Sequence, residues 1–262
     1  MQDKRICDIR FINKKCLLLA LAVIAGSVTA TVTYSAVIIQ HDYEIVETDY
    51  YMEDLKVEGS GSEIISKSLS SWFLLKGDTL RINIVNADEY QDKIPIVKKV
   101  ILSNEEITAR DSADPTLMNT YYIGWQRALE ATSTEETLRQ IPQHFEIISS
   151  EKGEGDITIT FSPLTNTDGK LGSTKVLVDT KLKEMLKVHI TIYQANDLSD
   201  KTLEAILRHE LGHALGLPHS TTPTDLMHHS FSVESAYISQ CDINGIITLY
   251  NEKNLDSFRC EN

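Results

Sequence analysis

Apolar and polar positions along the chain change period several times, and each change predicts an element. Leu80, Ile82 and Ile84 alternate with polar neighbours, which predicts a strand over 79–86. Ile96 to Leu102 reads as a second, weaker strand because Ile and Val dominate it. Leu117, Tyr121, Trp125, Ala128 and Leu129 recur at helical spacing, so 116–131 is predicted as a helix with Pro115 beside its first turn. Phe145 to Ile148, Ile157 to Phe161, Val176 to Val178 and Val188 to Tyr193 are further strands, with Gly169 and Gly172 punctuating the loop before the third of these. A helix over 200–214 is signalled more fully. Ser199 can cap it, Leu198 and Leu203 flank the cap, and Leu203, Ile206, Leu207, Leu211 and Ala214 form one apolar face. A last helix spans 239–251. Strands followed by helices predict an α+β domain.

Ahead of that domain the pattern differs. Leu17 to Ile39 is an uncharged run of 23 residues, against about 20 needed for a helix to cross a bilayer. Lys14 and Lys15 precede it; Asp42, Glu44 and Glu47 come after it. The positive-inside rule then gives a basic cytoplasmic head at 1–16, a membrane segment at 17–39 and an outward-facing body. Two readings fit the run. It is an uncleaved signal anchor, or a secretory signal cleaved after Ala30, where Val28-Thr29-Ala30 has the small-residue pattern of a processing site. Residues 40–77 are polar, with a Gly59-Ser60-Gly61 run, and read as a juxtamembrane stalk or leader to a domain at 78–262. The 262 residues carry a net charge of −13 at a pI of about 5.0, which excludes nucleic acid as the main partner. Cys241 and Cys260 fall on the outward side, where they could form a disulfide or stay as thiols.

The chemistry is concentrated in His209-Glu210-Leu211-Gly212-His213-Ala214-Leu215-Gly216-Leu217-Pro218-His219. Residues four apart share a helix face, so His209 and His213 can present two imidazoles to one ion, with Glu210 beside it. Gly216 permits the turn that ends the helix, and the returning chain supplies His219. Three protein ligands leave a fourth position for water, the pattern of a catalytic rather than a structural zinc site.

These eleven residues resemble the zinc signature of metzincin metallopeptidases, and the segment after His219 resembles their matrixin branch. Thr221 to Met227 matches the matrixin spacing from the third histidine to the Met-turn, and Ile238 to Tyr250 resembles the C-terminal helix. Upstream, Gly155 to Phe161 resembles the third strand, and Trp125 with Ala128 the first helix. The resemblance implies a twisted mixed sheet, an active-site helix and a small C-terminal helical subdomain. It implies an extracytoplasmic endopeptidase acting on polypeptides, with one catalytic Zn²⁺ on His209, His213 and His219, Glu210 as general base, Met227 as an apolar floor and Gly216 as the helix-ending turn. It also implies an extended substrate along an edge strand near Gly172–Val178.

The chain departs from that pattern in several places. Residues 162–188 contain no histidine, so a structural zinc is not expected, and the sequence leaves calcium binding open. The Cys-bearing latency peptide of matrixins has no counterpart between 40 and 110. Cys241 replaces the first of two aspartates, and His228-His229-Ser230-Phe231 replaces a Pro-x-Tyr-like pocket wall. Tyr237 does not match the spacing of the oxyanion-binding tyrosine of some metzincins, and His189, on a strand, reads as a satisfied core or surface residue. The rival reading is a zinc-holding metzincin fold that has lost turnover and serves adhesion or assembly; the intact Glu210 speaks against it.

Overall fold

In a computed structural model, described for residues 43–51, 70–110, 116, 118–229 and 236–251, the chain forms nine strands and four helices. The predicted membrane segment at 17–39 lies outside the described residues. Among the described residues no helix is long and apolar enough to cross a membrane.

The frame is a mixed sheet. Strand β3 (Thr79–Ile84) lies parallel between β6 (His144–Ile148) and β7 (Ile157–Phe161), and β7 is parallel to β9 (Glu184–Ile192). Strand β8 (Lys170–Asp179) turns back antiparallel along β9, and β1 (Tyr43–Tyr51) runs antiparallel along β8. The order is therefore β1-β8-β9-β7-β3-β6, with the short β2 (Ser71–Trp72) pairing β9 in parallel. Ile82, Ile157, Ile159, Val188, Ile190 and Ile192 are wholly buried. These residues alternate with polar ones along β3, β7 and β9, so one row of side chains on each strand meets the core.

The structure corrects several expectations. Residues Ile94–Leu102 are a helix, α1, not a strand. Pro95 occupies the first turn, and Ile96, Val97, Val100 and Ile101 fall on one buried face at helical spacing, so packing overrides the β preference of Ile and Val. The predicted helix over 116–131 is two elements. Met118–Tyr122 is β5, paired antiparallel with β4 (Glu106–Arg110), and only Trp125–Glu130 is helical, as α2. Gly124 divides them: it caps α2 in an extended conformation, and the Ser103 backbone fills the space a side chain would need. Trp125 and Ala128 thus sit on a helix, but the second one. Finally, part of the stretch read as a stalk is built into the sheet. Residues 43–51 are β1, and Trp72 of β2 is buried, donating its indole N–H to the Ala214 carbonyl at 2.8 Å.

The two remaining helices match expectation closely. Helix α3 is Asp200–Ala214, with the Ser199 hydroxyl accepting from the Thr202 N–H at 3.2 Å. Helix α4 is Gln240–Asn251. Helix α3 packs against α1, β8 and β9, which places its second half beside the antiparallel end of the sheet. Gly172, expected in a loop, is inside β8.

Candidate functional site

The C-terminal half of α3 carries His209, Glu210 and His213, all fully or almost fully buried. The helix stops at a double-bonded cap. Leu217 N–H donates to the Gly212 carbonyl at 2.9 Å and Gly216 N–H to the His213 carbonyl at 3.0 Å, with Gly216 at φ +106°. That left-handed residue is what lets the chain reverse. Pro218 and His219 come next, and Ser220 N–H is tied to the Met227 carbonyl at 2.8 Å. The loop therefore returns His219 to the face of α3 that holds the other two imidazoles.

The three rings converge. His213 Nε2 lies 3.0 Å from His209 Nε2 and 3.2 Å from His219 Nε2. Their orientation is set from behind: His209 Nδ1 is 2.7 Å from the Leu226 carbonyl, and His213 Nδ1 is 2.7 Å from the Leu217 carbonyl. A carbonyl oxygen only accepts, so each Nδ1 carries the proton and each Nε2 presents a lone pair. Two facing lone pairs at that distance repel unless a cation lies between them. Burial pushes the His213 pKa down to about 4, and burial with the neighbouring His213 and His219 pushes His209 well below the usual range. Both rings are neutral at physiological pH, as metal ligation requires. The donor set fits a transition-metal ion with imidazole preference, zinc among them. It is the one group of this kind among the described residues.

Glu210 adjoins the trio on the same turn. Its Oε2 lies 2.5 Å from the Thr174 hydroxyl of β8, and its Oε1 faces Gly172, where a Cβ would run into the carboxylate. Neither contact was legible in the sequence, because both cross more than thirty residues and Thr174 belongs to no motif. Met227 is buried with its sulfur packed over Gly212, so Gly212 has a packing reason to be a mid-helix glycine. Trp125 donates its indole N–H to the Arg208 carbonyl at 2.9 Å and bears on the same glycine.

The loop beneath the site is anchored by an acidic pair. The Asp225 carboxylate accepts from Met227 N–H at 2.8 Å, and Asp242 of α4 accepts from the Ser239 N–H and hydroxyl, both at 2.8 Å. The two carboxyls also hydrogen-bond each other, and burial raises both pKa values, that of Asp242 strongly, with the Asp225 charge adding to the rise. Burial thus favours a proton held between the two carboxyls over two bare charges. Cys241, next to Asp242, is disulfide-bonded, and its partner lies outside the described residues.

The other candidates have different neighbours. His189 is half-buried on β9, 2.7 Å from the Thr158 hydroxyl. Tyr237 lies under the Arg208 guanidinium, 5.3 Å from ring centroid to Cζ, and Arg208 in turn donates to the Ile123 and Ala236 carbonyls. His228 and His229 lie against each other at 4.2 Å between rings. Asp168 pairs with Lys170 at 3.9 Å, and Asp179 accepts from the N–H groups of Lys181 and Leu182.

The sequence model of the matrixin family matches residues 118–251, a span that runs from β5 through the sheet, α3 and the returning loop to α4. The eleven-residue histidine segment, the Met227 turn and the C-terminal helix all fall within it, and the chain belongs to the matrixin family.

Proposed function

We propose that this chain is a zinc-dependent endopeptidase whose catalytic domain faces out of the cell, held at the membrane by residues 17–39. The observation that carries the enzymatic reading is the convergence of three imidazoles, two of them kept neutral by burial, beside the buried carboxylate of Glu210. Membership of a family of zinc metallopeptidases supports the same chemistry. The outward location rests on the basic head and the apolar run in the sequence.

His209, His213 and His219 would hold the ion through Nε2. Zinc in such a site supplies Lewis acidity toward a peptide carbonyl and toward water. The chain's own residues do the rest. The Leu226 and Leu217 carbonyls keep two rings in the ligating tautomer. Thr174 fixes Glu210 through Oε2, so Oε1 is directed along β8. Glu210 accepts a proton from the attacking water at Oε1 and returns it to the departing amine, serving as base and then as acid. Met227 and Trp125 fill the volume under α3 and keep the ligand pair rigid.

The test compares the zinc-loaded full chain with its Glu210→Ala variant on a quenched-fluorescent peptide library. Internal cleavage by the native chain, reduced about 10²- to 10⁴-fold in the variant, is expected for loss of a general base. Equal cleavage by both removes Glu210 from the mechanism. No cleavage by either, with zinc bound and the fold intact, replaces the enzyme with a zinc-holding module that acts by binding.

A further inference from the structure

Strand β8 is the part of the sheet nearest the candidate catalytic carboxylate, through Thr174 and Gly172. A peptide whose carbonyl is to reach Glu210 must lie along the outer edge of β8, because an exposed strand edge is where an extended peptide gains main-chain hydrogen bonds. That edge is taken. Strand β1 pairs with it antiparallel over its length, from Tyr43 opposite Asp179 to Tyr51 opposite Lys170, and the β1 backbone passes Gly172 at Tyr50. It also comes within contact of α3.

The way β1 is held differs from the rest of the sheet. Tyr43, Ile45 and Glu47 are exposed, and Val46 alone of its described side chains packs against the core. Val176 and Val178 of β8, by contrast, are buried. Besides its backbone bonds, β1 is fastened through Glu47. The Glu47 carboxylate lies 3.2 Å from Lys175 Nζ and 3.9 Å from Lys170 Nζ, and accepts from the Ser173 hydroxyl at 3.1 Å. Two lysines and a serine of one strand thus enclose one acidic side chain of the other. A strand that buries little apolar surface is released at lower cost than one of the core.

Resting on the peptidase reading above, we propose that Tyr43–Tyr51 is a pseudosubstrate: it fills the peptide-binding edge of β8, with Glu47 in an acid-recognising subsite formed by Lys170, Ser173 and Lys175. The intact chain is latent until β1 leaves. A substrate then enters as an extended peptide antiparallel to β8. It is selected by an Asp or Glu three residues before the position that meets Gly172, as Glu47 precedes Tyr50. The device needs no cysteine, in keeping with the absence of any between 40 and 110.

Two full-chain variants open the edge by different means. Val46→Pro introduces a residue with no N–H into the pairing, and Glu47→Lys sets like charges against Lys170 and Lys175. Both are made in the Glu210→Gln background, loaded with zinc and checked for fold by thermal melting. Anisotropy then reports binding of a labelled peptide copying residues 43–51. The opened chains are expected to bind it at least tenfold more tightly than the intact chain. A peptide with Lys in place of the glutamate should lose about tenfold. Equal binding by intact and opened chains, or indifference to the peptide's charge, overturns the proposal. With Glu210 restored, kcat/KM on a peptide library should rise at least tenfold on opening. Gain of binding without cleavage in any form keeps the pseudosubstrate and removes the peptidase. Cleavage unchanged by opening keeps the peptidase and removes the pseudosubstrate.

Discussion

Thr174 is the side chain that connects the sheet to the candidate chemistry. Its hydroxyl bonds Glu210 Oε2 and also lies 3.2 Å from the Glu210 carbonyl. Hydrogen bonds to a charged group contribute about 1.5–3 kcal/mol. Under the peptidase reading this is a positioning bond, present before and after substrate arrives, so its loss should appear in kcat more than in KM. Thr174→Val keeps the branched shape and removes the donor. Steady-state kinetics on a cleavable peptide should show kcat lowered about 10- to 100-fold with KM within about twofold. An unchanged kcat would mean that the carboxylate is held by the helix alone. Gly172 constrains the same group sterically, since any larger residue there meets the carboxylate.

At the level of elements, the Met227 turn and α4 are joined by the Asp225–Asp242 pair. Burial raises both carboxyls in the folded chain, and the Asp225 charge raises Asp242 further, while in the unfolded chain they return to ordinary values near 3.8. Above that pH the folded state therefore binds more protons than the unfolded state. The pair's contribution is full below about pH 3.8 and declines as pH rises toward the folded pKa, by about 1.4 kcal/mol for each pH unit crossed. Asp242→Asn keeps an acceptor for Ser239 and offers an N–H to Asp225, so the join survives without the shared proton. The melting temperature of the native chain minus that of the variant should fall as pH rises above about 4. A difference independent of pH would show that no proton is shared. The α3 terminus is the other critical join. Gly216 at φ +106° lies against Leu249 of α4 and the Ser70 carbonyl, so the turn that presents His219 also docks the last helix.

For the molecule as a whole, latency and location are separate questions. If residues 17–39 are an anchor, the chain isolated from membranes begins near its encoded N-terminus. Cleavage after Ala30 would instead leave Thr31 first, which mass spectrometry of the purified protein distinguishes. Either form retains Tyr43–Tyr51, and so retains β1 on the edge of β8. If β1 is a pseudosubstrate, removal of a signal peptide does not open the site. Under the pseudosubstrate proposal, activation requires a cut or a displacement between β1 and β2, or a partner that competes for the edge.

What the sequence alone determined is what depends on neighbours a few residues away. The Ser199 cap, the apolar face of α3, the four-residue interval of His209 and His213 and the glycine that ends the helix are local, because helix geometry is set by short-range bonds. The third candidate ligand, His219, was readable for the same reason: one tight turn separates it from the helix. Expectation failed where packing chose between local options, as when Ile and Val of α1 were drawn into a helix and 116–131 was divided at Gly124. Tertiary structure alone decided the contacts between segments distant in sequence. These are Thr174 on Glu210, Asp225 on Asp242, and above all β1 on β8, which pairs residues some 120 or more apart. Strand pairing leaves no periodic mark that names its partner, since any exposed edge offers the same N–H and C=O groups. The polar composition that suggested a stalk over 40–77 is also compatible with a weakly buried edge strand.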